Sequence, residues 1–245
     1  MIVATSFEDV PAGGGPMRTF VARPSGGGRH PGVLFYSDIF QLTGPMLRSC
    51  VRLAGHGFVV AAPEIYSRIE APGAAIAFDD AGRMRGMENA ARTTVADFDA
   101  DCRSALDFLS RHTAVEAGRI GAAGFCIGGH LAFRAAFQSE VKGTVCFYGT
   151  GIHNGRLGMD ADAGSLRRAP EVRGRMLLVW GTNDPHVPRE GRDAVAQALR
   201  TAGVSFEERS YAAEHAFMRD EGPRFDPEAT DQAFAEAVAF LRSTL

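Results

Sequence analysis

The sequence predicts an α/β fold, a mostly parallel twisted sheet with helices on both faces. Short continuous apolar runs at residues 32–37, 58–63, 143–148 and 176–180 have the length and composition of strands covered on both sides. Segments of helical periodicity, such as residues 45–56 and 93–112, lie between them. Strands that alternate with helices are joined by right-handed crossovers, and such crossovers make neighbouring strands parallel.

Taken in chain order, residues 2–7 and 18–24 read as two opening strands around the turn-rich residues 11–16. Residues 26–29 are a flexible, glycine-rich connection to the strand at 32–37. The helix at 45–56 ends where Gly55 and Gly57 stop it, and the strand at 58–63 follows. Residues 71–85 are rich in Gly, Ala and Asp and carry no periodic signal. In 93–112, Val95, Phe98, Cys102, Leu106 and Leu109 share one helical face. A strand at 119–124 leads into a helix at 127–137, and the strands at 143–148 and 176–180 come next. Residues 189–201 are helical with Gly203 beyond them, and 205–211 alternate as a strand does. The chain closes on an amphipathic helix at 227–243 that turns Phe234, Val238 and Leu241 inward. The long polar stretch 153–174 reads as a surface insertion. With no repeat or linker in view, residues 1–245 read as one domain.

Composition excludes several classes. Hydrophobic residues make up 45% and charged residues 22%, as in ordinary globular proteins. A net charge of −3 gives no footprint for nucleic acid. No apolar run is long enough to span a bilayer, and Met1 to Ser6 lacks the basic and apolar regions of a signal peptide, so a cytoplasmic protein without membrane contact is expected. The four cysteines form no C-x-x-C pair and read as free thiols, and the seven histidines show no zinc-ligand spacing. The only lysine, Lys142, stands outside any phosphate-loop pattern. No metal and no cofactor is expected.

One motif carries chemistry. Gly124-Phe125-Cys126-Ile127-Gly128 is a G-x-nucleophile-x-G sequence with cysteine where serine is more usual, set between a strand and a helix. A nucleophile on that sharp turn stands clear of the backbone, and the small residues two positions away let strand and helix approach. The helix N-terminus behind it favours a thiolate and a developing oxyanion. The N–H of Ile127 is the expected first oxyanion donor, and the second is expected near Ile39, after the strand at 32–37. Asp184 follows the strand at 176–180, and His215 follows the strand at 205–211. Nucleophile, acid and base in that order at three strand ends are the arrangement of the α/β-hydrolase fold. Asp184 would fix the tautomer of His215, and His215 would be the base toward Cys126. His130, one helical turn past Cys126, and His186, in the Asp184 loop, are the rival bases.

The sequence resembles the dienelactone hydrolase (carboxymethylenebutenolidase) family. The matching pieces are Tyr36 to Phe40, Gly124 to Gly129, Phe147-Tyr148-Gly149, Asp184 to Pro188 and His215 to Arg219. The resemblance implies a Cys-His-Asp triad that needs no cofactor. It implies attack on a small ester or enol-lactone through an acyl-enzyme, by a monomer or weak dimer. It further implies a substrate carboxylate gripped by arginines: Arg219 is one match, and the other is Arg83 or Arg85. Tyr148 is implied to line the substrate site. The family's acid after the third strand, typically Glu, holds the thiol until substrate displaces it; here Asp38 takes that position, one methylene shorter. Two other functions compete: a general carboxylesterase or thioesterase with no carboxylate requirement, and a non-catalytic binding protein on the same fold.

Overall fold

The computed structural model describes all 245 residues. Eight strands form one sheet: β1 (Val3–Ala12), β2 (Gly15–Pro24), β3 (His30–Tyr36), β4 (Val59–Pro63), β5 (Val115–Phe125), β6 (Val141–Phe147), β7 (Arg175–Gly181) and β8 (Phe206–Tyr211). Their spatial order is β1-β2-β4-β3-β5-β6-β7-β8. From β4 to β8 every neighbouring pair is parallel, and the two remaining pairs, β1–β2 and β2–β4, are antiparallel. The helices are α1 (Gly44–Gly55), α2 (Asp80–Arg92), α3 (Val95–Arg111), α4 (Ile127–Ala135), α5 (Arg189–Thr201) and α6 (Pro227–Thr244).

The alternation of side chains along each strand sets the layers. Leu34 and Tyr36 of β3, with Met176 and Leu178 of β7, point to a core shared with α3 and α4. Val33 and Phe35, with Leu177 and Val179, point to a second core shared with α1 and α6. Each fully buried side chain of this size contributes roughly 2 kcal/mol. This is the α/β-hydrolase arrangement read from the sequence, with the parallel strands apolar on both faces.

Two local differences have physical reasons. β1 and β2 run through Pro11 and Pro16, which pair with each other, where the sequence reads a turn. β1 is an edge, and β4 pairs with β2 only from Thr19 to Ala22, so no third strand needs the N–H that proline lacks. α2 occupies part of the stretch left unplaced. Its start is fixed by Asp79, whose side chain accepts from the Gly82 N–H at 2.7 Å. The glycines that blur its helical signal are there for close packing: a Cβ on Gly86 would lie 2.5 Å from the Ile39 carbonyl oxygen. Residues 153–174 fold back on the α2–α3 junction, with Met159 donating to the Thr93 carbonyl at 3.0 Å and Asp160 accepting from the Val95 N–H at 2.7 Å. No helix is long and apolar enough to cross a membrane.

Candidate active site

The parallel strands end on one edge of the sheet, and the sequence-predicted residues collect there. Cys126 follows β5, Asp184 follows β7 and His215 follows β8. Ligand sites of open α/β sheets form at this edge.

Four non-glycine residues have left-handed backbone, and all four follow strands at this edge: Gln41 (φ 65°), Cys126 (φ 57°), Tyr148 (φ 39°) and Ala216 (φ 62°). Such conformations cost of order 1–3 kcal/mol each and persist where the surroundings over-determine them. The Cys126 turn is held by its N–H donating to Phe147 O at 3.1 Å and by its carbonyl accepting from Gly129 N at 2.9 Å and Thr150 N at 3.1 Å. Glycine is required beside it, because a Cβ on Gly124 would meet Gly128 O at 2.0 Å.

Asp184 and His215 are buried and joined, Nδ1 to Oδ2, at 2.7 Å. The other Asp184 oxygen accepts from the His186 N–H at 2.8 Å. Burial pushes the Asp184 carboxyl up, but the hydrogen bond and charge of His215 outweigh it and hold the group below the usual aspartate value. Burial opposes the charge of His215 as well; there the negative sulfur of Cys126 and the bond to Asp184 win, and raise it to about 10. In the Asp184–His215 pair the proton therefore rests on the imidazole. The sulfur also contacts Thr150 Oγ1 at 3.8 Å.

Ile127 supplies the first N–H of α4, a group with no partner inside the helix. In the turn after β3, the Ile39 N–H donates to no other group. Ile127 is the next residue after Cys126, the Ile39 turn follows the strand paired with β5, and α2 rests on that turn through Gly86.

The rival bases are placed otherwise. His130 is fully buried, with Nδ1 3.1 Å from Thr150 O and Nε2 2.7 Å from Ser165 Oγ. Burial, then the charge of Arg134, lowers it to about 3. The unfolded chain takes up this proton near pH ~6.5, while the folded one waits until about 3. His130 thus adds stability above ~6.5 that is lost as pH falls through that window. Urea midpoints between neutral pH and pH ~4 are expected to fall, while the His130 ring resonances stay in the neutral form over most of that range. His186 is exposed, edge-on to His215 at 4.7 Å between ring centres.

Asp38 is bonded to Arg219 (2.8 Å) and to the Phe40 N–H (2.9 Å) rather than to the thiol. The Arg219 guanidinium lies between the rings of Phe40 and Phe78, at 4.7 and 4.6 Å, and its Nε is buried without a partner. Arg85 is tied to Glu70, with Nε–Oε1 at 2.8 Å, and Arg83 reaches Asp80 at 3.6 Å and the Met87 sulfur at 3.9 Å. Neither lines the small cavity of Asp38, Phe125, Tyr148, Met218 and Arg219, which Cys126 and His215 do not line either. Tyr148 stacks on Phe125 and meets His215 edge-on, with ring centres 5.8 and 5.2 Å apart. The sequence reading missed Thr150 and Tyr66. The Tyr66 hydroxyl is buried without a partner, and burial, then the charges of Cys126 and Asp38, push its phenol up. Thr150 follows β6 directly after the Phe147-Tyr148-Gly149 piece, a position that was the available signal.

The dienelactone hydrolase family model matches residues 17–245. A Saccharomyces cerevisiae protein, provisionally named a carboxymethylenebutenolidase, is 38% identical over 241 residues, covering 94% of this chain and 88% of its own. A carboxymethylenebutenolidase of a Pseudomonas species is 30% identical over 233 residues, covering 94% of this chain and 91% of its own. A solved structure from Klebsiella pneumoniae, provisionally named a dienelactone hydrolase, shares the fold with a TM-score of 0.86 at 24% identity, covering 99% of each chain. Sequence match and sheet topology agree along the chain, which belongs to the dienelactone hydrolase family of enzymes.

Proposed function

We propose that the enzyme, one hydrolase domain over residues 1–245, cleaves a small carboxylate-bearing ester or enol-lactone through a thioester on Cys126. The observation that carries this is the strained Cys126 at the head of α4, beside an imidazole whose Nδ1 is locked 2.7 Å from Asp184.

The thiolate attacks the carbonyl carbon, and the new oxyanion is received by the N–H groups of Ile127 and Ile39. When the tetrahedral intermediate collapses, the C–O bond breaks and the leaving oxygen takes the proton of His215. Water then attacks the thioester and gives a proton to the now neutral His215. The C–S bond breaks, its electron pair returns to sulfur, and the acid departs. Only side chains, backbone N–H groups and water take part.

The free Nε of Arg219 supports the carboxylate requirement. A substrate carboxylate would take Nε and compete with Asp38 for Nη2, so that substrate entry loosens Asp38 from Arg219. A second reading, an esterase or thioesterase indifferent to charge, is favoured by Asp38 already neutralising Arg219 and by Arg85 being tied to Glu70. Arg219→Ala separates them. Loss of at least about tenfold in kcat/KM on a carboxylated lactone, with less than about twofold on p-nitrophenyl acetate, is expected from removing a charge-assisted contact. Equal losses on both would leave the second reading standing.

Stoichiometric iodoacetamide tests the nucleophile. Cys50, Cys102 and Cys146 are buried, and burial raises their thiols, Cys102 to about 12. Cys126 is the half-exposed one. Mass spectrometry is expected to find it labelled first, with activity lost in step.

A further inference from the structure

We propose that Thr150 is a further catalytic residue, its hydroxyl donating a hydrogen bond to the Cys126 sulfur, and that the 153–174 insertion holds it there. The inference rests on the Cys126 thioester reading and adds a group to that site.

Thr150 grips the nucleophile residue twice. Its N–H donates to the Cys126 carbonyl at 3.1 Å, and its Oγ1 lies 3.8 Å from the sulfur. A thiolate has no proton to give, so toward it the hydroxyl is the donor. Tyr66 and Tyr148 feel the charge of this sulfur, His215 is raised both by its charge and by a side-chain hydrogen bond to it, and Thr150 is a second side-chain partner, on a neutral hydroxyl.

Behind Thr150 every proton has one possible place. The Thr150 carbonyl can only accept, so the 3.1 Å contact puts the His130 proton on Nδ1. Nε2 is then an acceptor, and the Ser165 hydroxyl donates to it at 2.7 Å. Having given its proton, Ser165 Oγ accepts from Arg134 Nη1 at 2.9 Å. Arg134 also donates to Ala163 O at 2.9 Å and grips Asp99 at 2.8 and 2.6 Å. His130, Ser165 and Arg134 are buried, and the His130 ring is neutral at ordinary pH. Ser165 and Ala163 belong to the insertion. The insertion therefore reaches the back of the nucleophile turn, and His130 and Ser165 are positioning residues that fix Thr150 through its backbone.

The chemistry says when the hydroxyl matters. In the thioester the sulfur carries no charge and the hydrogen bond is weak. As water attacks and the C–S bond breaks, the electron pair moves onto sulfur and the Thr150 O–H bond to it strengthens. The proton stays on oxygen throughout. The hydroxyl thus favours deacylation and stabilises the resting thiolate, while acylation, which removes charge from sulfur, gains nothing.

The test is Thr150→Val, close in shape and without the hydroxyl, against Thr150→Ser and Ser165→Ala, on a chromogenic ester in rapid-mixing experiments. Thr150→Val is expected to slow deacylation about fivefold, a barrier change of about 1 kcal/mol. Its acylation burst should be unslowed and its ultraviolet thiolate absorbance reduced. Thr150→Ser is expected to restore both, and Ser165→Ala to slow deacylation by about twofold with Thr150 intact, as expected for a loosened hydrogen bond. Native deacylation and thiolate absorbance in a folded Thr150→Val would overturn the proposal, as would a folded Thr150→Ser that behaves like Thr150→Val. Failure of the underlying reading looks different: no acyl group would be found on Cys126 by mass spectrometry even in the unsubstituted enzyme.

Discussion

Replacing Cys126 by alanine is expected to lower kcat/KM on an activated ester by at least ~10³-fold, because loss of a nucleophile removes the acyl-enzyme route and leaves only binding and oxyanion contacts. Alanine keeps the Cβ, and the turn is held by backbone bonds to Phe147, Gly129 and Thr150, so the fold and melting temperature should be unchanged. Activity within tenfold of the parent would remove Cys126 from the mechanism. Cys126→Ser is the more informative companion. A serine hydroxyl stays neutral, so His215 loses the negative neighbour that raises it toward about 10, while burial continues to oppose its charge. The imidazole is then expected to titrate well below its value in the parent, nearer that of an ordinary histidine, and NMR of the His215 ring reads this directly. The Cys126 sulfur is a main cause of the raised imidazole, so removing it must move His215.

The same coupling explains what could and could not be read in advance. The positions of Cys126, Asp184 and His215 at one edge of the sheet were legible because each is fixed by local sequence: a glycine-flanked turn and two loops that follow strands. The strands were legible because Leu34 and Val33, or Leu178 and Leu177, are apolar on both faces. Asp38 and Arg219 had local signals as well, but their pairing at 2.8 Å joins the turn after β3 to the one after β8. No periodicity encodes such a contact. α2 was hidden for a different reason. Gly82 and Gly86 lower its helical propensity, and their purpose, close approach to Ala77 and Ile39, belongs to the packing. The role of residues 153–174 was hidden because His130, Ser165 and Arg134 look like three unrelated polar residues until burial forces them to satisfy one another.

Gly128→Ala is expected to be among the most damaging single-methyl additions in the protein. The new Cβ would stand 2.3 Å from the Ser37 carbonyl oxygen and 2.6 Å from that of Tyr36. Both obstacles are backbone at the end of β3, so no side-chain rotation relieves them. Either the head of α4 tilts away or β3 shifts, and overpacking of this kind costs ~3 kcal/mol or more. For a chain of this size that is a fall of roughly 6–12 °C in Tm. Ser37 directly precedes Asp38 and Ile39, while Gly128 directly follows Ile127. The shift therefore spreads the two oxyanion donors apart, and a displacement of ~1 Å there is expected to cost about 10²-fold in kcat on top of the lost stability. Gly55→Ala is the control. Gly55 lies at the end of α1 with nothing within 4 Å of an added Cβ and no left-handed backbone, so the same methyl should leave stability unchanged or raise it by up to ~1 kcal/mol. Thermal melts and kcat for the two variants compare one chemical change in two environments. If Gly128→Ala melts and turns over as Gly55→Ala does, the close docking of α4 on β3 is not what holds the nucleophile turn.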